Sequence, residues 1–330
     1  MMRCHLLRGS NPIECDVGLD EALAAPDGLQ LWVDIEDASP DELKLLRDRF
    51  HFHKLAVEDC SVPQRRSKYE RYATHGFVVI NALDRTTHED PLDLVAVCVF
   101  IRPKLVVTVR PKAVRALEHV LQRLQEDPER GIGVTERLLH SIIDAVVDEF
   151  LPLLDEYEEE LAELQARVGQ AGTYVPDRLV TIRRELLVVR RIILPHIEVV
   201  RRLTDPDATE VSPEIRLYFR DVLDHAMIVQ DTDALLLEVV NGALQLHSNV
   251  VNERLNEVMK FLTIVSTLML PWTVISGIFG MNFDVIPIAH QQGGFYAALG
   301  LMIGCGGGLL LYFRWKGWIR LREVPKPHSH

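Results

Sequence analysis

The chain has 330 residues, a formal net charge of −12 and a mean hydropathy of +0.06. That length holds one large or two medium domains, and the acidic balance excludes nucleic acid as a partner, because nucleic-acid binding needs a basic face. The five cysteines, at positions 4, 15, 60, 98 and 305, form no CxxC pair and no zinc-finger spacing. They read as reduced thiols of a cytosolic chain, and no apolar N-terminal stretch reads as a secretory signal.

In chain order, residues 1–127 alternate short apolar runs with helical stretches. Residues 31–35, 77–80, 94–101 and 105–109 predict strands, the last two apolar on both faces and so central in a sheet. Ser39-Pro40-Asp41-Glu42 opens a helix with a capping hydroxyl, a proline in the first turn and acids at the positive end of the dipole. A further helix is expected over 111–127, ending before Asp127-Pro128. His51 and His53 form an HxH pair without a third ligand, at an expected helix-to-strand join, and read as structural.

Residues 135–204 predict a long antiparallel helical hairpin. Leu138, Leu139, Ile142, Ile143, Val146 and Val147 recur at spacings of three and four, and the acidic run 155–160 continues the same helix with a solvated face. Gly169 and Gly172 mark the turn, Pro176-Asp177 starts the return helix, and Pro195 is expected to kink it. After the break at residues 204–207, Ser212-Pro213-Glu214 restarts a helix that meets no proline until Pro271. A single helix of about 60 residues, roughly 90 Å long, is the simplest reading. A helix that long must pack on neighbours or on copies of itself.

Residues 261–279 contain 19 positions with no Asp, Glu, Lys, Arg or His, and a second uncharged run spans 295–313. Each is long enough to cross a hydrocarbon core of roughly 30 Å. Lys260 precedes the first run, and Arg314, Lys316, Arg320 and Arg322 follow the second. The loop between has no Lys or Arg, so both termini are expected in the cytoplasm. Trp315 and Trp318 fall where an interfacial aromatic belt is expected. The resulting fold class is an α+β/α membrane protein. Residues 1–127 form a cytoplasmic α/β domain, 135–204 a hairpin and 212–260 a stalk helix. Residues 261–280 and 295–313 cross the membrane around an external loop at 281–294, and 314–330 form a basic tail.

Steps of three and four from Asn256 trace Met259, Leu262, Ser266, Leu270, Thr273, Gly277 and Gly280. Such a mixture of small, weakly polar and flexible apolar residues suits a helix lining a narrow wet path. It equally suits close helix packing, and periodicity alone does not separate the two. A pore would need several chains around one axis. Gly300, Gly304 and Gly308 of the second crossing fit close packing.

Gly280-Met281-Asn282 after a long helix, one further crossing and Lys316-Gly317-Trp318 resemble the CorA family of divalent-cation channels. So do Asn256-Glu257-Val258-Met259-Lys260, Tyr218-Phe219-Arg220-Asp221-Val222, Val57-Glu58-Asp59 and Gln64-Arg65-Arg66-Ser67-Lys68, in the same order along the chain. The resemblance covers residues 31–318. It implies a homopentamer in the cell inner membrane, with a cytoplasmic funnel and ten membrane helices. Gly280, Met281 and Asn282 would form the selectivity filter. Five Asn282 amides can hydrogen-bond hydrated Mg²⁺ without binding it too firmly to leave. Asn256 would give a second polar ring, and Met259 and Leu262 an apolar constriction.

The resemblance further implies a regulatory site in which Glu58 and Asp59 of one subunit face Asp221 and Asp224 of the next across bound Mg²⁺. Residues 205–255 carry ten Asp or Glu against three Arg, which suits cation gathering but also a solvated face. Departures exist. Asp284 has no second acid beside it in the outer loop, so external cation attraction rests on Asp284 or on His290. Gln245 stands where a pore-facing acid is expected. His328 and His330 belong to the terminal tail.

The function expected is gated Mg²⁺ uptake, with Co²⁺ or Ni²⁺ also carried, driven by the membrane potential. A Zn²⁺ transporter like ZntB and a non-conducting membrane-anchored sensor are the alternatives. The partners implied are copies of the chain, divalent metal ions and membrane lipid. No nucleophile arrangement, phosphate loop or nucleotide motif points to an enzyme.

Overall fold

A computed structural model describes residues 1–7, 13–24, 29–62, 66–84, 92–127, 135–167, 175–206, 211–281 and 293–318. The chain divides into two compact units, Met1–Leu244 and Gln245–His330.

The first unit is built on a six-stranded sheet in the order β1-β2-β6-β5-β4-β3. The strands are β1 (Met2–Leu7), β2 (Gln30–Glu36), β3 (Lys68–Arg71), β4 (Gly76–Asp84), β5 (Asp93–Arg102) and β6 (Leu105–Arg110). β2 and β6 run parallel and every other pair is antiparallel. β4 and β5 pair over their whole length, from Gly76 opposite Ile101 to Asp84 opposite Asp93. They are apolar on both faces because both faces are covered, and the period of two sorts their side chains into two cores. Val78, Ile80, Val97 and Val99 pack against the helices of the hairpin and stalk. Phe77, Val79, Cys98 and Phe100 pack against α2 (Pro40–Asp48) and α3 (Lys54–Asp59).

α2 opens as its sequence dictates. Ser39 accepts from the Glu42 backbone N–H at 3.3 Å, and the Glu42 carboxylate accepts from the Ser39 N–H at 2.8 Å. The strands β1 and β3 are additions to the sequence reading. β3 is a polar four-residue edge with no apolar alternation to announce it. The residues after His53 form a helix, not a strand. His53 caps α3, its Nδ1 accepting from the Leu55 N–H at 3.3 Å, and its ring stacks on Tyr72 at 4.5 Å. Between β1 and β2 lies the short α1 (Leu19–Leu23).

Two helix boundaries differ from expectation. α4 spans Arg115–Glu126, because the segment before it is spent on a link, with the Lys112 carbonyl accepting from Arg110 and the Lys112 ammonium paired with Asp84. The helix expected to continue through residue 150 is two, α5 (Thr135–Asp148) and α6 (Phe150–Arg167). Pro152 explains the break. It lacks the N–H that would bond to the carbonyl of Asp148, and its ring crowds that oxygen. α7 (Val175–Thr204) runs on as one helix through Pro195. α8 spans Pro213–Phe279, 67 residues, and is the continuous stalk expected. Its first residue follows Ser212, whose N–H and hydroxyl both donate to Glu136 of α5.

The second unit holds the apolar half of α8 and α9 (Gly294–Trp315). These two helices are long and apolar enough to cross a membrane. α9 ends in a Schellman motif. Gly317 has φ +72°, its N–H donates to the Arg314 carbonyl at 3.0 Å, and the Trp318 N–H donates to the Phe313 carbonyl at 3.0 Å. The Trp318 ring stacks on Phe313 at 5.5 Å, the hydrophobic contact that accompanies this cap.

Candidate functional site: a helix stripe and an acidic cluster

On the apolar half of α8, one face packs on α9. Ile264, Leu268 and Pro271 are half-buried there and Ile275 is buried. The contact is anchored by Trp272, whose Nε1–H donates to the Met302 carbonyl at 2.9 Å. A Cβ added to Gly306 would lie 3.0 Å from Cζ2 of that indole, so α9 approaches closely only because residue 306 is glycine. Gly300, Gly304 and Gly308 have no atom of the same chain within 4 Å of an added Cβ, so within the chain the close contact is made at Gly306.

Ser266, Leu270 and Gly277 each lie two residues beyond Ile264, Leu268 and Ile275, a turn of about 200° around the helix. They occupy the opposite face. Along it Asn256, Met259, Leu262, Ser266, Leu270, Thr273 and Gly277 are all exposed. The Thr273 hydroxyl donates to the Met269 carbonyl at 2.9 Å, leaving oxygen lone pairs and a methyl outward. At the end of α8 the Gly280 N–H still donates to Ser276 at 2.9 Å. A Cβ on Gly280 would come within 3.0 Å of the Ser276 carbonyl oxygen, which accounts for glycine there. Met281 is exposed. Asn282, Asp284 and His290 lie outside the described residues, as do Arg320, Arg322, His328 and His330.

In the first unit, the acids named from sequence occupy different environments. Glu58, Asp221 and Asp224 are exposed. Asp59 is buried and carries an ion pair to Lys68 at 2.5 Å within its own chain. Glu58 and Asp59 line an open cavity of about 570 Å³ with Lys68, Glu70 and Arg202. Gln245 is exposed and donates to Asn249 at 3.3 Å.

A second cluster was not read from the sequence. Asp144 and Asp148, one turn apart on α5, meet His225 of α8, with their ligand atoms all within 4.8 Å of one another. His225 Nδ1 lies 3.1 Å from Asp148 Oδ1. Burial, reinforced by the charge of Asp148, raises the Asp144 pKa above its ordinary value. Burial depresses the neighbouring His140, against the pull of Asp144 and Asp221. The spacing of four between Asp144 and Asp148, which puts both on one face of α5, is the part of the cluster visible in sequence. Two carboxylates and an imidazole suit a hard or borderline divalent cation.

An exposed stripe of small, weakly polar and flexible apolar residues on a helix long and apolar enough to cross a membrane, in a chain whose α/β unit bears acidic clusters, points to a membrane protein that handles cations. The chain matches the CorA-like Mg²⁺ transporter family over residues 30–315 and belongs to it. This is a family of divalent-cation transporters, not of enzymes. A cobalt/magnesium transport protein CorA of Thermotoga maritima is 30% identical over 295 residues, covering 87% of this chain and 83% of that one. A zinc transport protein ZntB of Pectobacterium atrosepticum is 23% identical over 257 residues, 77% of either chain. The solved CorA magnesium transporter of Methanocaldococcus jannaschii superposes with a TM-score of 0.82 at 20% identity, over 96% of this chain and 98% of that one.

Proposed function

We propose that the chain assembles as a homopentamer in the cell inner membrane and conducts Mg²⁺, with Co²⁺ and Ni²⁺ as further cargo, into the cytoplasm. The observation that carries this is the placement of the exposed stripe about 200° from the α9 contact, which leaves it facing copies of itself. Asn256, Met259, Leu262, Ser266, Leu270, Thr273 and Gly277 line the path. Gly280, Met281 and Asn282 form its outer filter, with Asp284 drawing cations to it. Lone pairs of Thr273 and amide oxygens of Asn282 offer neutral acceptors to the water shell of the ion. Mg²⁺ sheds that shell reluctantly, so contact through water favours passage over capture.

Both termini lie in the cytoplasm on this reading. There, Glu58, Asp59, Asp221 and Asp224 act with Asp144, Asp148 and His225 as the regulatory cation site. Bound divalent ion neutralises facing carboxylates and favours the closed assembly, and its loss lets like charges part. The Asp59–Lys68 pair makes Glu58 the freer of the two acids on α3.

A second reading, Zn²⁺ transport, is favoured by the imidazole in the cytoplasmic cluster and by the ZntB relative. Flux of Mg²⁺ and Zn²⁺ into proteoliposomes, wild type against Asn282→Ala, tests both. Mg²⁺ flux that falls at least tenfold in the variant supports the proposal. Zn²⁺ flux without Mg²⁺ flux supports the second reading, and a folded wild type that conducts neither contradicts both.

A further inference from the structure

The outer face of α7 is an exposed ridge of leucine and arginine. Val180, Leu187 and Leu194 recur every seven residues and are 55%, 48% and 46% exposed. Arg184, Arg191 and Arg201 flank them, all exposed and none in an ion pair among the described residues. In a chain of net charge −12, a surface this basic stands out. The outer face of α8 is its complement. Ile228 and Leu235 are 51% and 64% exposed, and Asp231 and Glu238 flank them.

Within one chain the two helices are antiparallel, and three contacts give their relative height. His225 meets Asp148, Phe150 meets His196 at 5.9 Å between ring centroids, and the Asp233 carboxyl lies in the field of Arg190. His196 therefore stands level with the residue just after His225. Leu194 stands level with Ile228, Leu187 with Leu235, Arg191 with Asp231, and Arg184 with Glu238. The ridges nevertheless face outward, so these pairs do not meet inside one chain.

We propose that the Arg/Leu ridge of α7 docks on the Asp/Leu ridge of α8 from a second copy of this chain, in that same register. The inference rests on the oligomeric channel argued above and names its cytoplasmic interface. The symmetry axis of a membrane homo-oligomer is the membrane normal, and rotation about it leaves the height of every residue unchanged. With α7 and α8 running along that axis, residues level within one chain are level between neighbours. At each level, leucine then finds an apolar partner and arginine an acid, and basic α7 finds the acidic helix that its own chain leaves uncovered.

Full-length protein in its membrane, carrying Leu187→Cys and Leu235→Cys, tests this under mild oxidation. The expected result is a non-reducing ladder of cross-linked multimers. The pair Leu187→Cys with Leu217→Cys is the control, because residue 217 lies about 27 Å from residue 235 along the helix, beyond the roughly 7 Å a disulfide tolerates. No ladder from the first pair, or equal ladders from both, overturns the proposal. In a second arm, Arg191→Asp should lower the yield of ladder severalfold and added Asp231→Arg should restore it. Failure of that rescue also overturns it. Flux without a ladder counts against this interface alone, whereas a ladder without flux counts against the channel and leaves the interface standing.

Discussion

Trp272 and Gly306 meet where the two membrane helices touch, the indole of one occupying the space that a side chain on the other would need. Gly306→Leu should therefore destabilise the helix pair by about 1–3 kcal/mol, the usual cost of overpacking a close contact. Gly300→Ala, at a position with open space around it, should change the same contact by a few tenths of that or less. Thermal melts of the detergent-solubilised protein check the difference. Equal melting temperatures for both variants would contradict the contact.

The Asp144–Asp148–His225 cluster of the first unit should bind divalent cations. Asp144→Asn and His225→Ala should each weaken Co²⁺ binding about tenfold, read as the shift in the metal concentration that raises Tm. Because the Asp144 pKa is raised, proton competition should weaken binding at mildly acidic pH, where an ordinary carboxylate would still be ionised. An unchanged titration in both variants would remove the cluster from the account.

Asp233 is fully buried on α8, with both carboxylate oxygens lacking a hydrogen-bond partner among the described residues. Burial pushes its pKa up from 3.8 to about 6, against the pull of Arg190. Between those values the folded chain holds a proton that the unfolded chain has released. The contribution of Asp233 to stability should therefore be greatest below pH 4, fall as pH rises to 6, and level off above it. Asp233→Asn removes that slope and should stabilise the protein at pH 8 by on the order of 1 to 3 kcal/mol. A slope that survives in the variant would contradict this assignment.

Lys68 neutralises the buried Asp59. Lys68→Met should destabilise the protein, because it removes an ion pair from a buried carboxylate, and Asp59→Asn in the same background should recover part of that loss. Denaturant unfolding of the wild type and the two variants measures both. A single variant as stable as wild type would show that Asp59 is not held by Lys68.

Much of this protein was legible in its sequence because its signals are long. The 67-residue stalk, the two uncharged runs and the doubly apolar β5 and β6 depend on periodicity and composition alone. What was missed depends on tertiary contact. β3 is a polar edge defined only by its partner, and the break at Glu149 is set by Pro152 inside an unbroken apolar repeat. The choice of Gly306 over Gly300, Gly304 and Gly308 required knowing where Trp272 points. The candidate metal-binding trio is split between helices, Asp148 and His225 lying 77 residues apart, with only the i, i+4 spacing of Asp144 and Asp148 visible beforehand.

The central claim is that the face of α8 turned away from α9 lines the ion path. Cysteines placed singly at Ser266 and Thr273, and at Ile264 and Leu268 as controls, test it by exposure to a charged, water-soluble thiol reagent during Mg²⁺ flux. The account predicts block at positions 266 and 273 and none at 264 and 268. Block at the α9-facing positions with the stripe insensitive would contradict it.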